Sequence, residues 1–184
     1  MAQIVTRRLI MRPYRAGEHG LMRAVIADPR VTFWHRHPMS EAESRAIFEA
    51  KLALAPRGLG AFAVFLGDRV GPDGAPVFVG QVLLQPLAGS GEIEIGWHFA
   101  PEHWGNGYAS EAAAALLAHA FDGLGLARVV AVVLPDNQRS LGVIHSLAMT
   151  EARMRIHAGR RHRYFVAERH EHQAGSSPLR AALE

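Results

Sequence analysis

The chain contains no cysteine among its 184 residues. This absence excludes disulfide bonds, thiolate metal sites and catalysis by a cysteine nucleophile. A group-transfer enzyme built from this chain cannot pass the group through a protein thiol. It would have to bring the donor and the acceptor together directly.

The sequence also lacks a long apolar run. Hydrophobic residues make up 49% and charged residues 20% of the chain, as in a soluble globular protein. No stretch is long enough to span a bilayer, and the segment 1–11 carries arginines and no signal-peptide apolar core. We therefore expect a cytoplasmic protein without a membrane partner. The length predicts a single domain over 1–170, and the polar end predicts a flexible tail over 171–184.

Lysine is nearly absent, since Lys51 is the one lysine among 20 basic residues. The arginines cluster over 7–15 and 153–163, and such patches can attract an anionic ligand or nucleic acid. Aromatic residues do not alternate with these arginines in the pattern of an RNA-binding strand. Nucleic acid is therefore a minor hypothesis, and the role of the patches stays open.

Apolar periodicity and turn residues predict the element order β-α-α-β-β-β-α-β-α-β-β. Ser40 and Glu43 form a capping-box pattern at the start of the second helix. The strands over 61–99 predict an antiparallel meander, and the apolar strand 128–134 predicts burial on both faces. Together they indicate an α/β (α+β mixed) domain with helices on both faces of a mixed sheet. The predicted strands are 4–14, 61–66, 77–87, 92–99, 128–134, 150–156 and 162–169, and the predicted helices are 16–27, 40–55, 107–123 and 137–147.

Two glycines, Gly105 and Gly107, lie between a predicted strand and a predicted helix. Exposed backbone N–H groups and the positive end of the helix dipole would form an anion site suited to a pyrophosphate. A tight turn without a ligand explains two glycines equally well. A dinucleotide-binding fingerprint fits poorly because a third glycine and a preceding parallel βα unit are missing.

The longer run from Glu94 to Ala112 (EIGWHFAPEHWGNGYASEA) resembles the GNAT superfamily of N-acetyltransferases, in its RimJ/RimL-like branch. The opening TRRLIMRP at 6–13 and the NQRS at 137–140 resemble two further motifs of that branch. The resemblance covers roughly residues 4–168 and implies a central, mixed, mostly antiparallel twisted sheet of about seven strands. It also implies an enzyme that uses acetyl-CoA as the donor and releases CoA as a product.

The resemblance implies a set of coenzyme-binding residues. The loop 104–108 would bind the CoA pyrophosphate through its backbone N–H groups, and the strand end at 97–99 would splay from its neighbour and contact the pantetheine. Asn137 matches a pantetheine contact, and Ser140 matches a general acid near the thioester sulfur. The implied cofactor-binding residues are Trp97, His98, Phe99, Trp104, Gly105, Asn106, Gly107, Tyr108, Ala109, Ser110, Asn137 and Ser140.

The sequence departs from the family pattern after the predicted last helix. Leu147-Ala148-Met149 stands where Leu-Gly-Phe is usual, which puts the turn after that helix in doubt. His145 stands at a position that is more often charged or polar in the family, and we expect it at the surface.

The catalytic base is sought on the strand before the loop. Glu94 is the first choice, because the family places acidic residues on this strand near the acceptor amine. Glu92 is the second choice and would face the same side of the strand. Either carboxylate is also compatible with an ordinary solvated position. His98 is a further candidate because imidazole titrates near neutral pH.

The acceptor is expected to be a primary amine, either a protein N-terminus or a small molecule, in a ternary complex with the donor. Trp34, in the loop with Phe33, His35 and His37, is a candidate wall of the acceptor cleft, and Glu92 is a candidate contact. Alternatively, the two aromatic residues anchor the first two helices. A non-catalytic acyl-CoA-binding module on the same fold is the alternative function, and a monomer and a homodimer are both open.

The close histidine pairs do not predict a metal site. They are 35/37, 157/162 and 170/172, and none has the helical His-x-x-x-His spacing with a third ligand. We therefore predict no metal.

Overall fold

The computed structural model describes residues 3–34 and 37–173. Eight strands form one sheet in the order β1-β2-β3-β4-β5-β6-β8-β7. The strands are β1 (Ile4–Val5), β2 (Leu9–Pro13), β3 (Gly60–Val70), β4 (Pro76–Pro86), β5 (Ile93–Phe99), β6 (Arg128–Val133), β7 (Thr150–His157) and β8 (Arg160–Glu168). The helices are α1 (His19–Ile26), α2 (Glu41–Leu54), α3 (Tyr108–Ala118), α4 (Gln138–Ser146) and α5 (Arg169–Gln173).

The sheet has one strand more than expected, because the predicted strand 4–14 is two strands. A turn separates β1 from β2, and it is closed by the backbone hydrogen bond from Thr6 N to Leu9 O at 2.9 Å. The Thr6 hydroxyl also accepts a hydrogen bond from Leu9 N at 3.0 Å. A hydroxyl that bonds its own turn competes with continued strand pairing.

The predicted mixed architecture is confirmed. All neighbouring strands are antiparallel except β5 and β6, which are parallel. The meander β3-β4-β5 and the closing hairpin β7-β8 are as predicted. The predicted burial of β6 is also confirmed, since Val129 and Val130 are both fully buried. Residues 171–173 belong to α5, and the rest of the predicted tail lies outside the described residues.

Helices cover both faces of the sheet. α1 and α2 pack through Met22 and Phe48 on one face, against a cluster that includes Leu83 of β4. α3 and α4 pack through Leu116 and Ile144 on the other. The predicted capping box at the start of α2 is present, with Ser40 and Glu43 bonding reciprocally. No helix within the described ranges is both long and apolar enough to cross a membrane.

The turn after α4 forms without the usual glycine. Ala148 adopts a positive φ of 51° there. A left-handed conformation costs a non-glycine residue on the order of 1–2 kcal/mol. Leu147 and Met149, on either side of the exposed Ala148, are both buried and anchor this strained turn to the core. His145 is exposed, as expected.

The parallel pair β5/β6 separates almost immediately. Glu94 and Val130 are partners, and no other pair between these two strands is formed in the described chain. β5 continues to Phe99 and β6 to Val133 on diverging paths. The divergence leaves a split in the sheet, bounded by the N-termini of α3 and α4.

Candidate active site

A cavity of about 1100 Å³ occupies the split between β5 and β6. Residues on both faces of the sheet line the cavity, because the gap between the two strands opens to both faces. The predicted site residues that line it are Trp34, Glu94, Trp97, His98, Phe99, Trp104, Gly105, Gly107, Tyr108, Ala109, Ser110, Asn137 and Ser140. The structure thus brings together segments separated by more than 100 positions in the chain.

The loop before α3 is shaped by its glycines. Gly105 and Gly107 have φ values of 79° and 76°, in the left-handed region that favours glycine. Gly107 is the N-cap residue of α3, so the first N–H groups of that helix lie beside the cavity. The sequence predicted this strand–loop–helix arrangement, which provides backbone donors for an anion.

Asn106 and Trp104 stabilise the loop through side-chain hydrogen bonds to nearby backbone carbonyl groups. The Asn106 side chain donates to His103 O and to Trp104 O, both at 3.1 Å. The indole Nε1–H of Trp104 donates to Phe99 O at 2.8 Å. Asn106 itself is outside the cavity lining and is exposed. Its side chain therefore fixes the loop rather than facing the cavity.

A partly buried ion pair also fixes this loop, and the sequence alone does not reveal it. Glu111, on the first turn of α3, is 6% exposed and accepts from Arg8 Nε at 2.6 Å and from Thr6 Oγ1 at 2.6 Å. Arg8 Nη1 in turn donates to Asn106 O at 2.9 Å, and its guanidinium lies 4.9 Å from the centre of the Tyr108 ring. Burial raises the pKa of Glu111, but the hydrogen bonds from Thr6 and Arg8 outweigh it and lower the pKa overall.

Among the residues that the structure describes, Glu94 is the one acidic residue that lines the cavity. It is 8% exposed and lies opposite Gln85 on β4, whose side-chain amide donates to its carboxylate. Burial raises the pKa of Glu94, and this effect exceeds the opposing influence of Gln85 and of the nearby charges of His157, Lys51 and Arg155. A carboxyl with a raised pKa in a cavity has the character of a proton-transfer group.

The carbonyl oxygen of Gln85 is buried and has no hydrogen-bond partner among the described residues. Lys51 approaches the same region from α2. Burial lowers the pKa of Lys51, and the charge of Glu94 opposes that shift. Neither Gln85 nor Lys51 was identified from the sequence. The burial of Lys51, the chain's one lysine, depends on how α2 packs. The composition of the sequence alone therefore does not place it near Glu94.

Glu92, the second candidate for base and acceptor contact, does not line the cavity. Its carboxylate accepts from Tyr164 Oη–H at 2.5 Å and pairs with Arg155 at 3.3 Å. These partners hold Glu92 at the β8 side of the strand. The geometry therefore favours Glu94 over Glu92 as the base.

An aromatic wall closes the cavity opposite the loop. The rings of Trp34 and His98 lie with centroids 6.0 Å apart, and Phe33 packs edge-on against Trp34. The side-chain nitrogen of Gln81 is 3.1 Å from His98 Nδ1. Phe33 is 46% exposed, so it does not serve as a core anchor. His35 lies outside the described residues.

The N-terminus of α4 forms the remaining wall. Asn137 Oδ1 accepts from Ser140 N at 3.1 Å and so caps the helix. This cap uses the oxygen of the Asn137 amide and leaves its nitrogen as the donor for a ligand. Ser140 lies one helical turn from the cap and lines the cavity beside Val133 and Leu134. The two motif residues thus meet the cavity from β6's side of the split.

No group of three or more potential metal-binding side chains occurs within 3–34 and 37–173. His157 and His162 do approach each other, with ring centroids 5.5 Å apart, but no third ligand joins them there. Burial lowers the pKa of His162, with a smaller contribution from the charge of His157.

Known proteins share this sequence pattern and this fold. Residues 8–150 match the family model described as an acetyltransferase (GNAT) domain. The uncharacterised N-acetyltransferase YoaA of Bacillus subtilis is 49% identical over 47 residues, which are 26% of this chain and 27% of YoaA. The chain thus spans about a quarter of that curated relative.

Solved structures match over nearly the whole chain. An acetyltransferase from Agrobacterium tumefaciens str. C58 is 27% identical with a TM-score of 0.76, covering 91% of this chain and 95% of its own. RimJ of Mycobacterium smegmatis, solved in complex with CoA-disulfide, is 21% identical with a TM-score of 0.72, covering 97% of this chain and 90% of its own. At this low identity, the likeness to RimJ shows a shared fold and nothing more.

Proposed function

Because this chain belongs to the GNAT family of acetyltransferases, we propose that it transfers an acetyl group from acetyl-CoA directly to a primary amine. The observation that carries this proposal is the split between β5 and β6. It joins a glycine loop suited to phosphate with a buried carboxylate, Glu94, in one cavity.

The residues present fit acetyl-CoA. The left-handed glycines at 105 and 107 leave backbone N–H groups of the loop open to a pyrophosphate. Beyond Glu94, the edge of β5 has no β6 partner in the described chain, so its backbone groups can bond the amide-rich pantetheine. Asn137 would add a side-chain donor from the opposite wall. When bound, acetyl-CoA would supply an activated acetyl thioester.

Glu94 is proposed as the general base. An amine attacks only when it is neutral, and Glu94 would take up the amine proton directly or through one water molecule. The raised pKa of Glu94 makes its carboxylate a better proton acceptor than an exposed glutamate. The hydrogen bond from Gln85 would hold the carboxylate in one orientation.

Ser140 is proposed as the general acid. Its position at the cavity wall on α4 suits a hydroxyl that donates a proton to the departing sulfur. Backbone N–H groups along the open edge of β5 would stabilise negative charge on the acetyl oxygen. The new carbon–nitrogen bond would thus form as the carbon–sulfur bond breaks. Glu94 would take one proton from the nitrogen, Ser140 would give its hydroxyl proton to the sulfur, and the second proton lost by the nitrogen would restore the Ser140 hydroxyl.

Transfer would take place in a ternary complex. The chain has no cysteine to carry the acetyl group, and the cavity gives both reactants access to the same point in the split. Holding two reactants in this way can supply much of the rate. The resemblance of the run 94–112 to the RimJ/RimL-like branch favours a protein N-terminal α-amine as acceptor, and a small-molecule amine suits the same chemistry.

Calorimetry and two-substrate kinetics test this proposal together. We expect acetyl-CoA to bind and to raise the melting temperature, as any ligand of the folded state does. With an active acceptor, we expect intersecting double-reciprocal lines, whereas a covalent acetyl-enzyme would give parallel ones. Absence of both binding and a melting shift would refute the assignment of the donor.

A further inference from the structure

One arginine at the cavity wall has no role in the scheme above. Arg139 lies on the first turn of α4, between Asn137 and Ser140, and its guanidinium carbon is 4.3 Å from the centre of the Trp104 ring. Trp104 begins the glycine loop on the other side of the split. The contact therefore joins the two walls of the cavity at its phosphate-loop end.

The Trp104 ring is a fixed platform. Its Nε1–H is bonded to Phe99 O, and its ring packs against two of the core clusters. The Arg139 side chain, in contrast, is exposed and makes no ion pair with an acidic side chain within the described ranges. A cation held over an aromatic face is weakly bound compared with one paired to an anion. Arg139 is thus free to exchange partners.

The glycine loop, residues 104–108, itself carries no positive side chain. Residues 104–108 are Trp-Gly-Asn-Gly-Tyr, and the nearby Arg8 is neutralised by the buried Glu111. Within 3–34 and 37–173, two other arginines line the cavity. Arg30 is paired with Asp28 at 2.6 Å, and Arg160 lies at the far end, where it donates to Trp34 O at 3.5 Å. Among the described residues that line the cavity, Arg139 is therefore the arginine at the glycine-loop end that has no acidic partner.

We propose that Arg139 is a phosphate-binding residue. When the donor binds, the Arg139 guanidinium moves off the Trp104 ring and donates hydrogen bonds to the phosphate oxygens of the donor. The planar guanidinium suits two parallel bonds to a phosphate. This inference rests on the proposed function, because it takes acetyl-CoA as the donor. Arg139 would then hold the loop side and the α4 side of the cavity together around the bound nucleotide end.

The test compares two donors that differ in their phosphates. With acetyl-CoA, Arg139→Gln is expected to lower kcat/KM by about tenfold, through KM, because a charge-assisted hydrogen bond is lost. With S-acetylpantetheine, which has no phosphate, kcat/KM should be the same for both proteins. Arg69→Gln, on the exposed end of β3, serves as the matched control and should leave both donors unaffected.

An equal loss of kcat/KM with both donors would overturn the proposal, because it would indicate a structural role. An unchanged kcat/KM with acetyl-CoA would overturn it too. Arg139→Lys keeps the charge and should recover part of the loss, which provides a second, less disruptive variant. Acetyl-dephospho-CoA identifies the phosphate: a persisting loss places the contact at the pyrophosphate, and a vanishing one at the 3′-phosphate.

Added salt gives an independent measure. The affinity of the wild-type chain for acetyl-CoA should fall with ionic strength more steeply than that of Arg139→Gln. Identical slopes would contradict a direct ionic contact. Failure of the proposed function looks different, because the wild-type chain itself would then neither bind nor use acetyl-CoA.

Discussion

Gln85 and Glu94 face each other across β4 and β5, and the Gln85 side-chain amide donates a hydrogen bond to the Glu94 carboxylate. The pair lies where β5 parts from β6, at the entrance to the split. The Gln85 carbonyl oxygen stays buried without a partner among the described residues. An amine N–H bound beside Glu94 would satisfy that oxygen, so the pair can orient both the base and the nucleophile.

Glu94→Gln should lower kcat by at least about a hundredfold, because proton transfer by a positioned base contributes that much or more. The affinity for acetyl-CoA should stay unchanged, since Glu94 belongs to the acceptor side of the proposed site. Steady-state kinetics and calorimetry measure the two quantities. Glu49→Gln, an exposed carboxylate on α2, is the control. Full turnover in Glu94→Gln would remove the proposed base.

The pH dependence of kcat/KM should reveal the raised pKa of Glu94. Activity requires the carboxylate, so it should rise with pH through a value above the ordinary 4.5 of a glutamate. Gln85→Met removes a hydrogen bond that favours the charged form, and it should move this limb to still higher pH. If the limb stays in place in Gln85→Met, a group other than Glu94 gives rise to the pH profile.

Stability should follow the same titration. A raised pKa in the folded state means that folding favours protonated Glu94, a contribution fully present below pH 4.5 and lost as the pH rises through the raised value. Relative to Glu94→Gln, the wild-type chain should therefore lose free energy of unfolding over that interval. Urea titrations at a series of pH values measure the difference, and a constant difference would argue against the shift.

Ser140→Ala should reduce kcat by about a hundredfold while the KM for acetyl-CoA changes little, because the hydroxyl acts on the leaving sulfur. A donor with a more acidic leaving thiol should need less help and show a smaller loss. Ser146→Ala, later on the same helix, removes a hydroxyl bonded to Val143 O and serves as the control. Equal losses for both donors would count against Ser140 as the acid.

Glu111→Gln should destabilise the fold by about 2 kcal/mol at pH 7, because it breaks charge-assisted hydrogen bonds to Arg8 in a buried site. The lowered pKa of Glu111 makes this contribution present above pH 4.5 and lost as the pH falls through the lowered value. Urea unfolding of the wild-type chain and of Glu111→Gln, at pH 7 and at a pH below the lowered pKa of Glu111, measures this contribution. Glu168→Gln breaks the exposed pair with Arg128 and should cost clearly less, because solvent screens that pair.

The local pattern of the sequence predicted most of the fold. The capping box, the meander and the glycine loop all depend on residues near one another in the chain, and all formed as expected. The break between β1 and β2 escaped prediction because Thr6 closes that turn with its hydroxyl, inside an otherwise strand-like stretch. The family pattern also located the residues around the split.

The polar pairs that complete the site required the three-dimensional structure. Arg8 and Glu111 are 103 positions apart, and their contact depends on β2 lying near the start of α3. A signal was present, because a single glutamate inside the alanine-rich run of α3 indicates a paired carboxylate. Gln85 and Glu94 meet through the register of β4 and β5, which the sequence alone does not define.

The proposed reaction is the direct transfer of an acetyl group from acetyl-CoA to an amine. A panel of N-terminal peptides and small amines, incubated with isotopically labelled acetyl-CoA and followed by mass spectrometry and free-CoA release, tests it most directly. We predict that at least one amine gains the label in proportion to the CoA released, and that Glu94→Gln reduces both. A chain that binds acetyl-CoA but labels no amine, with no CoA released beyond spontaneous hydrolysis, would refute direct transfer.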